Sequence, residues 1–148
     1  MSGSSSSKPR RRRSAAVVGV ALLLVVVAPA QARRKDNIPP TFAGLKSATT
    51  CIPGPIGEGR TSSYHLSWEA ATDNVTPSSK IVYNVYQANT AGGEDFSQPT
   101  YTTAPGVTSF DTPQLSSTKT FYFVVRARDQ AGNEDSNTVE RQGQNLCV

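Results

Sequence analysis

The stretch Phe121-Tyr122-Phe123-Val124-Val125-Arg126-Ala127-Arg128 decides the fold class of this chain. Successive side chains of a β-strand point to opposite faces, so an amphipathic strand shows an alternating pattern. One face of this stretch is wholly apolar and carries Phe121, Phe123, Val125 and Ala127. The other face carries Tyr122, Val124, Arg126 and Arg128, which is typical of a half-solvated sheet surface. The stretch is therefore predicted to be a strand whose first face lies in the core.

Two further segments show the same alternation. Tyr64–Trp68 places Tyr64, Leu66 and Trp68 on the predicted core face and leaves His65 and Ser67 on the other. Ile81–Tyr86 places Ile81, Tyr83 and Val85 on the core face. Weaker strands are expected at Phe42–Ala48, Thr100–Thr102, Val107–Asp111 and Asn137–Arg141. No helical periodicity follows residue 32, so the pattern predicts an all-β, seven-stranded immunoglobulin-like β-sandwich.

The residues of these strands resemble the fibronectin type III family, in particular its bacterial secreted members. The resemblance covers roughly residues 38–142. It rests on Pro39-Pro40, Leu66-Ser67-Trp68, Tyr83-Asn84-Val85-Tyr86, Leu115 and Phe123 to Arg128, together with the turn Asp129-Gln130-Ala131-Gly132-Asn133. Phe121 departs from the family, because it stands where the family has a corner tyrosine and lacks the hydroxyl.

The N-terminal segment has the three-part layout of a secretory signal peptide. Basic residues Arg10–Arg13 precede an apolar run from Ser14 to Ala28, and small residues follow Pro29. Cleavage is expected after Ala32, which predicts a signal peptide at 1–32, a flexible linker at 33–37 and a fibronectin type III-like domain at 38–148. The alternative is an uncleaved membrane anchor, although a run of about 15 residues is short against the roughly 20 that span a bilayer.

The positive charge of the chain is concentrated ahead of the predicted domain. The formal net charge is +4, but from Arg33 onward ten lysines and arginines face eleven acidic residues. A basic stripe on the folded domain is what nucleic-acid binding requires, and this distribution argues against it. The protein is expected to be secreted or at the cell surface, and to contact a membrane only if the signal is retained.

Two cysteines, Cys51 and Cys147, remain after the predicted cleavage. An even number in an exported chain favours a disulfide, with two free thiols as the alternative. The topology that the resemblance implies places the end of the first strand and the end of the last strand at the same pole. Both cysteines would then lie at that pole, within reach of a bridge.

Oxygen-bearing side chains are expected to converge at the opposite pole. There the implied topology brings together the N-terminal approach, the B–C loop and the F–G loop, which carry Asp36, Asp73, Asp129, Asn133 and Asp135. Carboxylate and amide oxygens converging from loops suit a hard cation, so the pattern predicts a calcium site. The alternative is ordinary turn chemistry, since Asp129 and Gly132 fit a type I turn.

No sequence pattern supports catalysis. The single histidine, His65, is predicted on the exposed face of a strand, and no phosphate loop, zinc spacing or dinucleotide motif is found. No cofactor other than calcium is indicated. Tyr86 and Tyr122 are predicted on the outer face of a sheet, where aromatic rings can stack on sugars or anchor proteins. The alternative is that they only pair with side chains on neighbouring strands. The expected function is a non-catalytic module that binds an extracellular protein or polysaccharide. The alternative is a calcium-stabilised structural component that an uncleaved signal anchor holds at the cell surface.

Overall fold

The secondary structure consists almost entirely of short β-strands. The computed structural model describes Gly3, residues 35–51 and residues 59–146. Within these residues the strands are β1 (Leu45–Thr50), β2 (Thr61–Ser62), β3 (His65–Trp68), β4 (Val82–Ala88), β5 (Tyr101–Thr102), β6 (Ser109–Asp111), β7 (Leu115–Ser116), β8 (Tyr122–Arg128), β9 (Glu140–Gln142) and β10 (Gln144–Asn145). One 3₁₀ turn, Ser78–Lys80, precedes β4. The all-β prediction is confirmed; ten strand segments are described where seven were expected, because β2, β7 and β10 are two-residue pairings.

The strands form two four-stranded sheets and one small pair. The first sheet has the order β10-β1-β3-β6, the second has the order β5-β4-β8-β9, and β2 pairs with β7. The named pairings are antiparallel except that β10 runs parallel to β1, with Thr49 opposite Gln144 and Thr50 opposite Asn145. The C-terminal end of the described chain therefore lies beside the end of β1.

One apolar core lies between the two four-stranded sheets. The predicted core faces are confirmed, because every member is buried: Tyr64, Leu66, Trp68, Ile81, Tyr83, Val85, Phe121, Phe123, Val125 and Ala127. Rings from opposite sheets meet directly. The centroids of Trp68 and Tyr83 are 5.1 Å apart, and those of Tyr64 and Phe123 are 5.5 Å apart. Phe121, which stands at the corner position, also packs against Tyr64 at 5.8 Å.

The outer face of β8 is half-solvated at Tyr122, Arg126 and Arg128, as predicted, but part of the outer face of the second sheet is covered. Val124 and Tyr86 point outward from the core but are 1% and 2% exposed. The connection between β4 and β5, residues 89–100, explains this burial. Its Phe96 packs on the Tyr86 ring with centroids 5.1 Å apart. The sequence pattern of a strand reports which face a residue occupies, but not whether a loop covers that face.

The chain divides into two units, Met1–Arg33 and Arg34–Val148. The sheets belong to the second unit. The predicted signal peptide falls almost wholly outside the described residues, so its cleavage or retention stays a prediction, as do the domain limits at 32 and 37. Among the described residues, no helix has the length and apolar character needed to cross a membrane.

Candidate metal centre

Three aspartates from distant parts of the chain meet at one pole of the domain. Asp36 precedes β1, Asp73 lies between β3 and β4, and Asp129 directly follows β8. One carboxylate oxygen from each lies within 4.8 Å of the others. Backbone pairing brings the N-terminal approach to this pole, because Thr41 and Thr72 exchange hydrogen bonds of 2.8 and 3.0 Å. This pole is called the N-terminal pole below.

Asp73 is held by the backbone of its own loop. Its Oδ2 accepts hydrogen bonds from the N–H groups of Val75 at 2.9 Å and Thr76 at 2.7 Å. Burial by itself would raise the pKa of Asp73, but the backbone donors of Thr76, Val75 and Asn74 together lower the pKa below its ordinary value. The carboxylate is therefore ionised at neutral pH and has a defined orientation.

Asp36 is oriented in the same way by one of its two oxygens. Its Oδ1 accepts a hydrogen bond from the Ile38 N–H at 3.1 Å and a long one from Asn74 Nδ2 at 3.5 Å. The backbone carbonyl of Asp36 also accepts from Asn133 Nδ2 at 3.2 Å. These contacts attach the N-terminal approach to the loops after β3 and β8.

Asp129 closes the turn after β8. Its Oδ1 accepts from the Asn133 N–H and its Oδ2 from Asn133 Nδ2, both at 2.7 Å. Gly132 has a φ of 94°, and its N–H donates to the Asp129 carbonyl at 3.3 Å. Thr76 Oγ1 accepts from the Gln130 N–H at 3.3 Å, which ties this turn to the Asp73 loop. Asp129 itself is only 5% exposed.

The cluster contains two buried oxygens without a partner. Asp36 Oδ2 and Asp73 Oδ1 are inaccessible to solvent and accept no hydrogen bond within the structure. The ion pairs of the described residues lie elsewhere and join Lys46 to Glu69, His65 to Asp111 and Arg126 to Glu134. Burying a carboxylate oxygen without a hydrogen bond or counter-charge is costly. The three carboxylates therefore have the chemistry that a divalent cation would satisfy, and oxygen-only ligands suit Ca²⁺.

Two of the five residues predicted for this site, Asn133 and Asp135, do not contribute a converging carboxylate. Asn133 belongs to the cluster, but its side-chain nitrogen acts as a donor that positions Asp129 and the Asp36 carbonyl. Asp135 is outside the cluster. Its carboxylate accepts from the N–H groups of Ala127 and Asn137, and its role as a metal ligand stays a prediction. Its place in the loop after β8 directs it back onto that strand.

The two tyrosines predicted to bind a ligand, Tyr86 and Tyr122, are less exposed than expected. Tyr86 is buried under Phe96, and its hydroxyl donates to Glu134 Oε1 at 2.7 Å. Tyr86 is therefore not exposed as predicted, and its ligand role stays a prediction. Tyr122 is half-buried in β8, opposite Ala88 and Gln142. A ligand role for Tyr122 stays a prediction.

Two other predicted residues, His65 and Cys51, lie on the first sheet or at its end. His65 is exposed as predicted, and its Nδ1 lies 2.7 Å from Asp111 Oδ1 on the neighbouring strand. Cys51 directly follows β1, whereas Cys147 lies outside the described residues. The predicted disulfide therefore stays a prediction.

A second acidic site, which the sequence pattern does not predict, lies on the outer face of the second sheet. Glu94 and Glu140 line one cavity there, although they are far apart in the chain. The Gly92-Gly93-Glu94-Asp95 turn has no pattern that would pair it with the last strands.

Comparison with protein-family models and with curated proteins finds no match to this chain. The function must therefore be inferred from the geometry of its own sites. The N-terminal pole offers the most completely assembled set of groups, because three carboxylates converge there from three separate loops.

Proposed function

We propose that this chain is a secreted or cell-envelope, non-catalytic module of the fibronectin type III kind, whose N-terminal pole binds Ca²⁺ and is stabilised by it. One observation carries the proposal. Asp36 Oδ2 and Asp73 Oδ1 are buried without partners inside a cluster of three carboxylates. A calcium ion would be coordinated by both oxygens, and its charge would offset the mutual repulsion of the three carboxylates.

The order of the strands supports the immunoglobulin-like part of the proposal. In such sandwiches the first, second and fifth principal strands share one sheet, and the third, sixth and seventh share the other. Here β1, β3 and β6 share the first sheet, while β4, β8 and β9 share the second. With β5 as an extra edge strand, this is the arrangement that the fibronectin type III resemblance implies.

Asp36, Asp73 and Asp129 would hold the ion, and Asn133 would keep two of them in place. Calcium takes six to eight oxygen ligands in flexible geometry, so water would complete the coordination. Mg²⁺ demands a near-octahedral shell and fits loop-derived ligands less well. When bound, the ion supplies charge neutralisation, and it joins the N-terminal approach to two loops of the domain.

Binding of an extracellular protein or polysaccharide is the second candidate function. The observation that favours it is the acidic cavity on the outer face of the second sheet, lined in part by Glu94 and Glu140. Tyr86 is buried, so this cavity is a better candidate for a binding site than the ring of Tyr86.

The calcium proposal is tested by thermal unfolding of the full chain in about 10 mM CaCl₂ and in EDTA. Extracellular calcium sites have dissociation constants of about 10⁻⁴–10⁻³ M, so binding should add roughly 1–3 kcal/mol. The melting temperature should rise by about 5–15 °C. Asp73→Asn should abolish the rise, because an amide nitrogen or a neutral oxygen replaces a carboxylate oxygen.

Asp111→Asn is the matched control, because it removes one aspartate charge at the exposed His65 pair. It should keep the calcium response of the wild type. Asp36→Asn provides a second variant outside the sheets, should Asp73→Asn fail to fold. A calcium response that is equal in the wild type and both site variants would overturn the proposal, as would an absence of heat on calorimetric titration of the wild type.

A further inference from the structure

A cavity of about 380 Å³ opens on the outer face of the second sheet. It is lined by Gly92, Glu94, Phe96, Val124, Thr138 and Glu140. The floor is apolar, since Val124 is buried and Phe96 packs against Tyr86. The rim carries two carboxyl groups and one hydroxyl. An apolar floor with converging polar groups is the usual composition of a ligand site.

The two carboxyl groups in this cavity face each other. Burial raises the pKa of Glu94, and the nearby carboxylate of Glu140 raises it further. Glu140 is fixed by the Gly92 N–H, which donates to its Oε2 at 2.6 Å. Glu94 Oε1 is inaccessible to solvent and has no hydrogen-bond partner. Two carboxylates in contact require a shared proton or a cation between them.

No cation of the described residues forms an ion pair with either group. Arg126, whose guanidinium lies over the Phe96 ring, has other partners. Its Nε donates to the Asn137 carbonyl at 2.9 Å, and its Nη1 lies 3.9 Å from Glu134. Its guanidinium carbon stands 3.7 Å from the centre of the Phe96 ring, which it holds in place. A cation from outside the domain would therefore take the place of the proton between Glu94 and Glu140.

We propose that this cavity binds the side chain of a lysine presented by a partner protein. An ammonium group has three donors, which match the Glu94 carboxylate, the Glu140 carboxylate and the hydroxyl of Thr138. The methylene chain of the lysine would lie on Val124 and Phe96. A metal ion fits less well, because the apolar floor of Val124 and Phe96 offers no oxygen ligand on that side of the ion. The proposal rests on the second candidate function, a binding role, and is independent of calcium.

The test is a titration of the ¹⁵N-labelled full chain, followed by NMR, with a blocked glycine pentapeptide that carries one central lysine. The amide signals of Gly92, Val124 and Thr138 should shift progressively over the millimolar range, since a single side chain gives weak affinity. The same peptide with norleucine, which lacks the ammonium group, should bind at least about tenfold more weakly. The diamine cadaverine provides the third ligand, and it should bind no more tightly than the lysine peptide.

Glu94→Gln combined with Glu140→Gln should weaken the lysine peptide by about tenfold or more. Glu69→Gln removes a carboxylate at the exposed Lys46 pair and should titrate like the wild type. Equal shifts with the norleucine peptide, or a double variant that titrates like the wild type, would overturn the proposal. Tighter binding of cadaverine would overturn the proposed protein partner in favour of a free diamine. The calcium response, measured on the same double variant, should be retained and shows separately whether the N-terminal pole functions.

Discussion

The hydroxyl of Tyr83, on β4 of the second sheet, accepts a hydrogen bond from the backbone N–H of Ala71 at 2.8 Å. Ala71 follows β3 of the first sheet, so the bond joins the two sheets through the core. Both residues are buried, at 0% and 1% exposure. The Tyr83 ring also packs against Trp68, 5.1 Å away between centroids. The Tyr83 side chain therefore fills part of the core, and its hydroxyl is the hydrogen-bond acceptor for the buried N–H of Ala71, just before the Asp73 loop.

Tyr83→Phe should destabilise the domain although it changes the core volume little. The Ala71 N–H would be left buried without an acceptor, which costs about 1–3 kcal/mol. Urea unfolding at neutral pH measures the loss. Tyr101→Phe is the control, because its hydroxyl makes only a long 3.4 Å contact with Gln87. A Tyr83→Phe domain as stable as the control would contradict the assigned role of the hydroxyl.

Tyr86 should make the stability of the domain depend on alkaline pH. Burial and then the adjacent Glu134 raise its pKa to about 12, above the ordinary value of 10.0. A raised pKa favours the neutral phenol in the folded state, so its stabilisation is complete below pH 10 and is lost as the pH rises toward 12. Between pH 9 and pH 11 the wild type should lose about 1 kcal/mol more than Tyr86→Phe.

The comparison with Tyr86→Phe isolates this effect from the other tyrosines, which titrate in both proteins. The measurement is chemical unfolding of the two proteins at each pH. At neutral pH the variant should be less stable by about 1–2 kcal/mol, since it loses a hydrogen bond to a carboxylate. Parallel pH profiles for the two proteins would show that Tyr86 ionises equally well in the folded state.

The predicted Cys51–Cys147 bridge is supported by the register of the last strand. Leu146, next to Cys147, donates its N–H to the carbonyl of Thr50, next to Cys51, at 3.0 Å. Cys51→Ser combined with Cys147→Ser should lower the free energy of unfolding by about 2–5 kcal/mol. Intact-mass measurement before and after reduction identifies the bridge by a gain of about two mass units. The prediction would be contradicted if the mass and the free energy of unfolding were the same with and without a reductant.

Much of the fold could be predicted because strand patterning is local. The alternation in Phe121–Arg128 identifies its core face without reference to any other part of the chain. The same holds for Tyr64–Trp68 and Ile81–Tyr86. The two-residue strands β2, β7 and β10 were not predicted, because so short a segment carries no periodicity and exists only through its partner.

The candidate metal centre was predictable in part. The loops that converge at one pole follow from the implied topology, and they bring Asp36, Asp73 and Asp129 together. Loop conformation then decided the direction of each side chain. Asp135 follows Asn133 by two positions, yet its carboxylate caps Ala127 and not the acidic cluster. The direction of the Asp135 side chain depends on the backbone conformation of the turn, which residue types alone do not predict.

The sequence by itself determined the all-β class, the core faces of the main strands and the acidic composition of the N-terminal pole. These follow from periodicity and residue chemistry, which act over a few neighbouring positions. Only the tertiary structure decided that residues 89–100 fold over Tyr86 and that Glu94 meets Glu140 across a cavity. Such contacts join segments whose separation along the chain is large, and their free energy comes from burial that no local pattern records.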